Sequence, residues 1–176
     1  MSQSNPITIS KRRLMLYKAI QEFPDNQRIR NALINTYNSK QIQISAINGV
    51  FINYNRSDEL FALELDTHLR KARINVWMDQ IDIHPDEDWD YAISNATNRS
   101  GVMILVLSPN AIEDTALQQE AVKFLESGKV VIPIIHQPCE YASLELILPP
   151  IDFSDDFDKG LQFLLKGLKV ESAVNV

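Results

Sequence analysis

The chain has 176 residues, 45% of them apolar and 23% charged, the composition of one folded domain or of one domain with a short extension. No apolar run approaches the ~20 residues that cross a bilayer, and the net charge of −6 is divided unevenly along the chain. Cys139 is the only cysteine, which excludes an internal disulfide and a multi-cysteine metal site.

The start, MSQSNPITISKRR, lacks the apolar segment of a signal peptide, so a cytoplasmic location is expected and the Asn55 and Asn98 sequons are read as chance. Residues 1–45 carry seven Lys/Arg against two acids, a net of +5; the remainder carries ten against twenty-one, a net of −11. A basic arm on an acidic body can meet nucleic acid or dock on an acidic face of its own or a neighbouring subunit. The second reading is preferred, because the arm lacks the aromatic interleaving of a stacking platform. Within the arm, Leu14, Tyr17 and Ile20, then Ile29, Leu33, Ile34 and Tyr37, recur at helical spacing and predict a helical hairpin over 10–22 and 25–39. Phe23-Pro24-Asp25 breaks it, with Asp25 expected to cap the second helix.

From about residue 47 the pattern alternates strand and helix. Strands are expected at 49–54, 74–78, 102–107, 130–135 and 150–153, and helices at 58–72, 87–98, 113–127 and 156–168. Ser57-Asp58 opens the first of these helices, Pro109-Asn110 precedes the third, Gly128 ends it, and Ser154-Asp155 starts the last. Five such strands predict a flavodoxin-like α/β fold: a five-stranded parallel sheet with helices on both faces, plus the N-terminal hairpin. The expected organisation is an extension over 1–45, a domain over 46–170 and a tail over 171–176.

Ligands of open α/β sheets gather at the carboxyl ends of the strands, so the polar residues there are the candidates for chemistry. With five glycines and no GxGxxG or P-loop pattern, the two commonest nucleotide-binding designs are absent. His68, His84 and His136 have no metal-ligand spacing, and His68 is expected on a helix surface; no metal site is expected. Leu107-Ser108-Pro109 lacks the glycines of a nucleophile elbow, which leaves Ser108 as a helix-capping serine. Trp89 closes the long acidic loop from Asp79 and offers either a flat surface for a base or an anchor for its helix. Glu120 sits mid-helix among apolar or small neighbours.

Taken together these segments resemble a Toll/interleukin-1 receptor (TIR) domain of the bacterial immune type, over about residues 47–168. Phe51-Ile52-Asn53-Tyr54 resembles the first box, F-I-S-Y. Val76-Trp77-Met78-Asp79 followed by Pro85-Asp86-Glu87-Asp88-Trp89 resembles the second strand, the BB loop and its P-G-E-D-W exit. Leu105-Val106-Leu107-Ser108-Pro109 and Ile132-Pro133-Ile134 match the third and fourth strands. Many TIR domains cleave NAD⁺ between ribose and nicotinamide, using the glutamate of a W-x-x-x-E pattern on the helix after the third strand. That pattern falls here on Ala116 to Glu120, with the glutamate kept and the tryptophan replaced by Ala116; Asp86 stands where the loop glycine is usual.

The resemblance implies Glu120 as the catalytic carboxylate and Phe51, Arg56, Trp89 and Ser108 as substrate-binding residues. It assigns the BB loop, with Asp79, Ile83, His84, Pro85 and Asp86, to assembly. NAD⁺ would be substrate, with no further cofactor. It further implies activation by self-association in prokaryotic anti-phage immunity and a separate sensor or effector partner; from the apolar pattern and the basic arm, a membrane partner is not expected and docking on protein is preferred to nucleic acid. A competing reading is a non-catalytic adaptor that assembles through the same surfaces, which the replacement at Ala116 favours and Glu120 opposes. A receiver-like domain is set aside, because the third strand ends in Ser108 where a phospho-acceptor aspartate would stand.

Overall fold

The computed structural model describes residues 49–78, 88–144 and 148–168 continuously, most of 15–38, and the single residues Asp86 and Leu146. In chain order the elements are α1 (Gln27–Asn38), β1 (Val50–Asn53), α2 (Glu59–Lys71), β2 (Val76–Trp77), α3 (Trp89–Arg99) and β3 (Val102–Leu107). There follow α4 (Pro109–Glu113), α5 (Thr115–Glu126), β4 (Val130–Ile135), β5 (Ile151–Asp152) and α6 (Phe157–Gly167). The five strands form one parallel sheet in the order β2-β1-β3-β4-β5. Right-handed crossovers place α2 on one face and α3 and α5 on the other. The chain then returns α6 to the α2 face, where Phe157 meets Phe61. The strand order reverses direction at β1, so the switch point of the sheet lies between β1 and β3.

β1 and β3 are buried at every position, as a parallel sheet covered by helices on both faces requires. Their registers align Val50 with Val102 and Ile52 with Ile104, and Val102 in turn with Val130. The core is formed by these strands with Leu65 and Leu69 of α2, Leu117 and Phe124 of α5 and Leu164 of α6. Each large apolar side chain so buried contributes roughly 1.5–3 kcal/mol. Pro133 sits inside β4 without breaking the ladder. Val130 and His136 donate their N–H groups toward β3, while Ile135 accepts from Phe153 on the β5 side. Alternation therefore points the Pro133 nitrogen toward the β5 side, before β5 begins at Ile151, where no acceptor strand is present.

β3 and β4 have the expected bounds; β2 and β5 are shorter, two residues each. The expected helix at 113–127 is preceded by a separate short helix, α4. Asp114 separates the two, with extended backbone (φ −82°, ψ 95°) and a side chain that caps α5. The cap of α6 is Asp156, one residue after the expected Ser154-Asp155 start. In the N-terminal extension, Asn26 rather than Asp25 caps α1, its Oδ1 accepting from the N–H groups of Arg28 and Ile29. The first helix of the expected hairpin lies only partly within the described residues, where Leu16, like Ile29 of α1, packs against the core. His68 is not a free surface residue: it is half-buried, with its ring 5.1 Å from that of Phe157.

Two backbone positions hold the left-handed conformation at helix ends. α2 closes with Arg73 at φ 62°, the Arg73 N–H bonded to the Arg70 carbonyl and the Ile74 N–H to the Leu69 carbonyl. This is a Schellman closure, and buried Ile74 and Leu69 supply its apolar contact. α5 ends at Gly128, φ 80°, where glycine bears no Cβ penalty.

Candidate functional site

A cleft of about 850 Å³ opens on the α3–α5 face, beside the switch point. One side is the exit of β1 from Phe51 to Arg56; the other is α5, with Ala116, Glu120 and Lys123; α3 closes it. The α5 periodicity explains what faces the cleft. Leu117, Ala121 and Phe124 are buried, while Ala116 is exposed and Glu120 half-buried between them. Glu120 thus combines access to solvent with an apolar flank.

Phe51 lines the cleft from below. It is 3% exposed, and its ring stacks on Trp77 with centroids 5.2 Å apart. Arg56 is exposed at the rim and can reach an anionic group there. Toward the amino end of the sheet, Lys129 donates to the carbonyls of Thr97 and Asn98 at 2.5 and 3.1 Å and lies 4.9 Å from the Phe124 ring. Burial pushes its ammonium below the usual lysine range. This lysine ties the start of β4 to the end of α3 and closes that end of the cleft.

The β1 exit loop is fastened to the helix opposite. Asn53, 6% exposed, donates from Nδ2 to the Leu117 carbonyl at 3.2 Å and approaches Met103 Sδ at 3.7 Å. Asn55 donates to Asp114 Oδ2 at 2.9 Å, while Asp114 Oδ1 accepts the Leu117 N–H at 3.1 Å. The Asn55 Oδ1 accepts from both the N–H and the hydroxyl of Ser57. Asn53 falls within the first box and Asn55 within a sequon read as chance, but neither asparagine nor Asp114 is given a role from the sequence. An Asn or Asp ahead of a helix announces a cap, but its second partner, more than fifty residues away, has no local signal.

Ser108 is the correction to the expected site. It does not line the cleft: it is 1% exposed, donates to Asp58 Oδ2 and accepts the Ala111 N–H, which makes it the cap of α4. Trp89 opens α3 behind the Asp88 cap, but its side chain lies outside the described residues. So do Asp79, Ile83, His84 and Pro85 of the expected BB loop; Asp86 is an exposed turn residue. The structure therefore gathers Phe51, Arg56 and Glu120 on one cleft and separates Ser108 from them. Among the described residues, no three His, Cys, Asp or Glu side chains gather where a metal ion could be held. No helix among them is long and apolar enough to cross a membrane.

On the opposite face His136 stacks on Phe61, ring centroids 4.1 Å apart. Burial lowers the pKa of its imidazole below the usual histidine value, opposed by the carboxylates of Asp58 and Glu64. Cys139, half-buried nearby, has its thiol pKa raised by burial and by Glu140 and Asp58, and so is a poor nucleophile.

No curated protein matches the chain. Among solved structures, the TIR domain of the Toll-related receptor TRR-2 from Hydra magnipapillata is similar over 70% of this chain and 98% of its own, with 21% identity and a TM-score of 0.60. The TIR domains of the activated Roq1 resistosome, which directly recognises the pathogen effector XopQ, are similar over 67% of this chain and 97% of theirs, at 19% identity and a TM-score of 0.55. At these identities the likeness speaks for the fold. The family model for the TIR domain matches residues 50–165, two thirds of the chain, and on that match the protein belongs to the TIR-domain family.

Proposed function

We propose that this TIR domain cleaves the bond between ribose and nicotinamide in NAD⁺, with Glu120 as the catalytic carboxylate. The observation that carries the reading is the single cleft holding Glu120 on one wall and Arg56 on the other. Breaking the C–N bond builds oxocarbenium-like charge on the ribose, as in glycoside hydrolysis, and a half-buried carboxylate stabilises it. Nicotinamide leaves as a neutral molecule from a cationic ring, so no second acid is needed to protonate it. Arg56 is suited to the substrate phosphates, and Phe51 and the Trp89 segment to the walls of the pocket. NAD⁺ is substrate here, with no further cofactor in the reading. Trapping by water gives ADP-ribose; trapping by the substrate's own adenine gives a cyclic isomer.

Self-association is the trigger in this reading, in a cytoplasmic, prokaryotic anti-phage system with a separate sensor. The likeness to TIR domains of an activated resistosome supports assembly as the switch. The BB loop, from Asp79 through Asp86, serves assembly, and the basic residues 1–45 serve recruitment rather than nucleic-acid binding.

A second reading, a non-catalytic adaptor, draws on the exposed Ala116, which leaves the cleft without an aromatic wall at that position. One experiment separates the two. Concentrated protein, with and without a crowding agent, is incubated with NAD⁺ and nicotinamide release is followed beside Glu120→Gln. Release that vanishes in the variant supports the enzyme; no release from demonstrably assembled protein favours the adaptor.

A further inference from the structure

We propose that Asn55 and Asp114 form a positioning pair that sets where Glu120 stands relative to the β1 exit loop. The proposal deepens the catalytic reading above and rests on it only for its turnover measurement. The geometry is a relay. Asn55 Nδ2 bonds one oxygen of Asp114, and the other oxygen holds the Leu117 N–H in the first turn of α5. Leu117 precedes Glu120 by three residues, nearly one helical turn, and the Asn53 amide bonds the Leu117 carbonyl. The first turn of the helix is thus gripped at the Leu117 carbonyl by Asn53 directly, and at the Leu117 N–H by Asp114, which Asn55 of the same β1 exit segment holds in turn.

Asn55 is itself held, because its Oδ1 accepts two bonds from Ser57, whose hydroxyl also accepts from the Asn110 amide. Its Nδ2 is therefore aimed at Asp114. The two walls of the cleft cannot shift independently while this pair is intact. A ligand spanning Arg56 and Glu120 meets a fixed separation, and small misplacements of a reacting group are costly. Neither Asn55 nor Asp114 is assigned a bond to substrate.

The pair can be exchanged. In Asn55→Asp alone, two carboxylates face each other and the bond is lost. In the double variant Asn55→Asp, Asp114→Asn, the new amide donates back across the gap. The carboxylate at 55 still accepts from Ser57, and the amide oxygen at 114 still caps Leu117. The measurements are kcat and KM for NAD⁺ on the full chain, and the carboxyl ¹³C resonance of Glu120, assigned by its absence in Glu120→Gln.

The expected result for Asn55→Asp is a fall in kcat of about tenfold or more, larger than any change in KM, with a moved Glu120 resonance; the exchange restores both to within about threefold and to the native position. An unmoved Glu120 resonance in Asn55→Asp, or a failure of the exchange to return it, overturns the proposal. Because the resonance is read without turnover, a wild-type chain that releases no nicotinamide defeats the catalytic reading alone.

Discussion

Ser108 Oγ donates to Asp58 Oδ2 across 2.5 Å, and both side chains are closed off from solvent at 1% and 3% exposure. The bond joins the end of β3 to the turn after β1, fifty residues apart, and the same hydroxyl accepts the Ala111 N–H that starts α4. Removing it leaves a buried carboxyl without this donor and a helix without its cap. Ser108→Ala is expected to lose about 2–4 kcal/mol of stability, the sum of a buried unsatisfied polar group and a lost cap. A lower urea midpoint at unchanged slope is the result that bears this out; an unchanged midpoint contradicts it.

Gly160 lies where α6 passes over the end of β5. A Cβ built there would stand 2.7 Å from Phe153 Cγ and 2.9 Å from the Asp152 carbonyl oxygen. The obstacle includes backbone, which cannot rotate away, so Gly160→Ala costs stability despite alanine's better helix propensity. About 1–3 kcal/mol is expected from overpacking, read as a lower melting temperature. Gly167, with nothing near its Cβ position, is the internal control: Gly167→Ala should not destabilise.

Arg73 occupies the left-handed position of the α2 closure at φ 62°. Glycine takes that conformation without the Cβ penalty while keeping both Schellman bonds, which use only backbone. Arg73→Gly is expected to stabilise the fold by about 0.5–1 kcal/mol, measured by chemical denaturation. A destabilised variant would show that the arginine side chain contributes more than its backbone costs.

His136 titrates lower in the fold than in the unfolded chain, because burial disfavours the imidazolium more than Asp58 and Glu64 favour it. The sign follows from linkage. The unfolded chain takes up the proton first as pH falls through the ordinary value of 6.5, so stability is full above 6.5 and declines below it until the folded pKa is passed. In His136→Phe, which keeps a ring stacked on Phe61, the loss of stability between pH 7.5 and 5 should shrink. An identical loss in variant and wild type would remove His136 as its source.

Ala116 lines the cleft one helical turn before Glu120 and is exposed. An indole placed there would face a bound ring, and aromatic pairs of this kind contribute about 0.5–1.5 kcal/mol beyond burial. Ala116→Trp is therefore expected to lower KM for NAD⁺ by a few-fold, measured by nicotinamide release. A raised KM would mean that the cleft already uses that space.

Much of the architecture is legible locally. Val102–Leu107 and Val130–Ile135 read as buried strands because a strand covered on both faces must be apolar at nearly every position, and that is a property of consecutive residues. Ser108 read as a helix cap for the same reason: a hydroxyl followed by proline meets an N–H three residues on. The parallel sheet follows from alternation of strand and helix, and the family from the order of short boxes along the chain. What the tertiary structure alone decided is which caps also bond across the fold. Asn55 and Asp114 have no pattern that pairs them, since their meeting depends on β3 lying beside β1 and on the helix break at residue 114. The removal of Ser108 from the cleft was decided in the same way, by a buried partner at Asp58 that lies on another loop. Periodicity and capping are short-range and are written in neighbouring residues; the second bond of each polar side chain depends on how the strands are ordered, and it is that bond which shapes the cleft around Glu120.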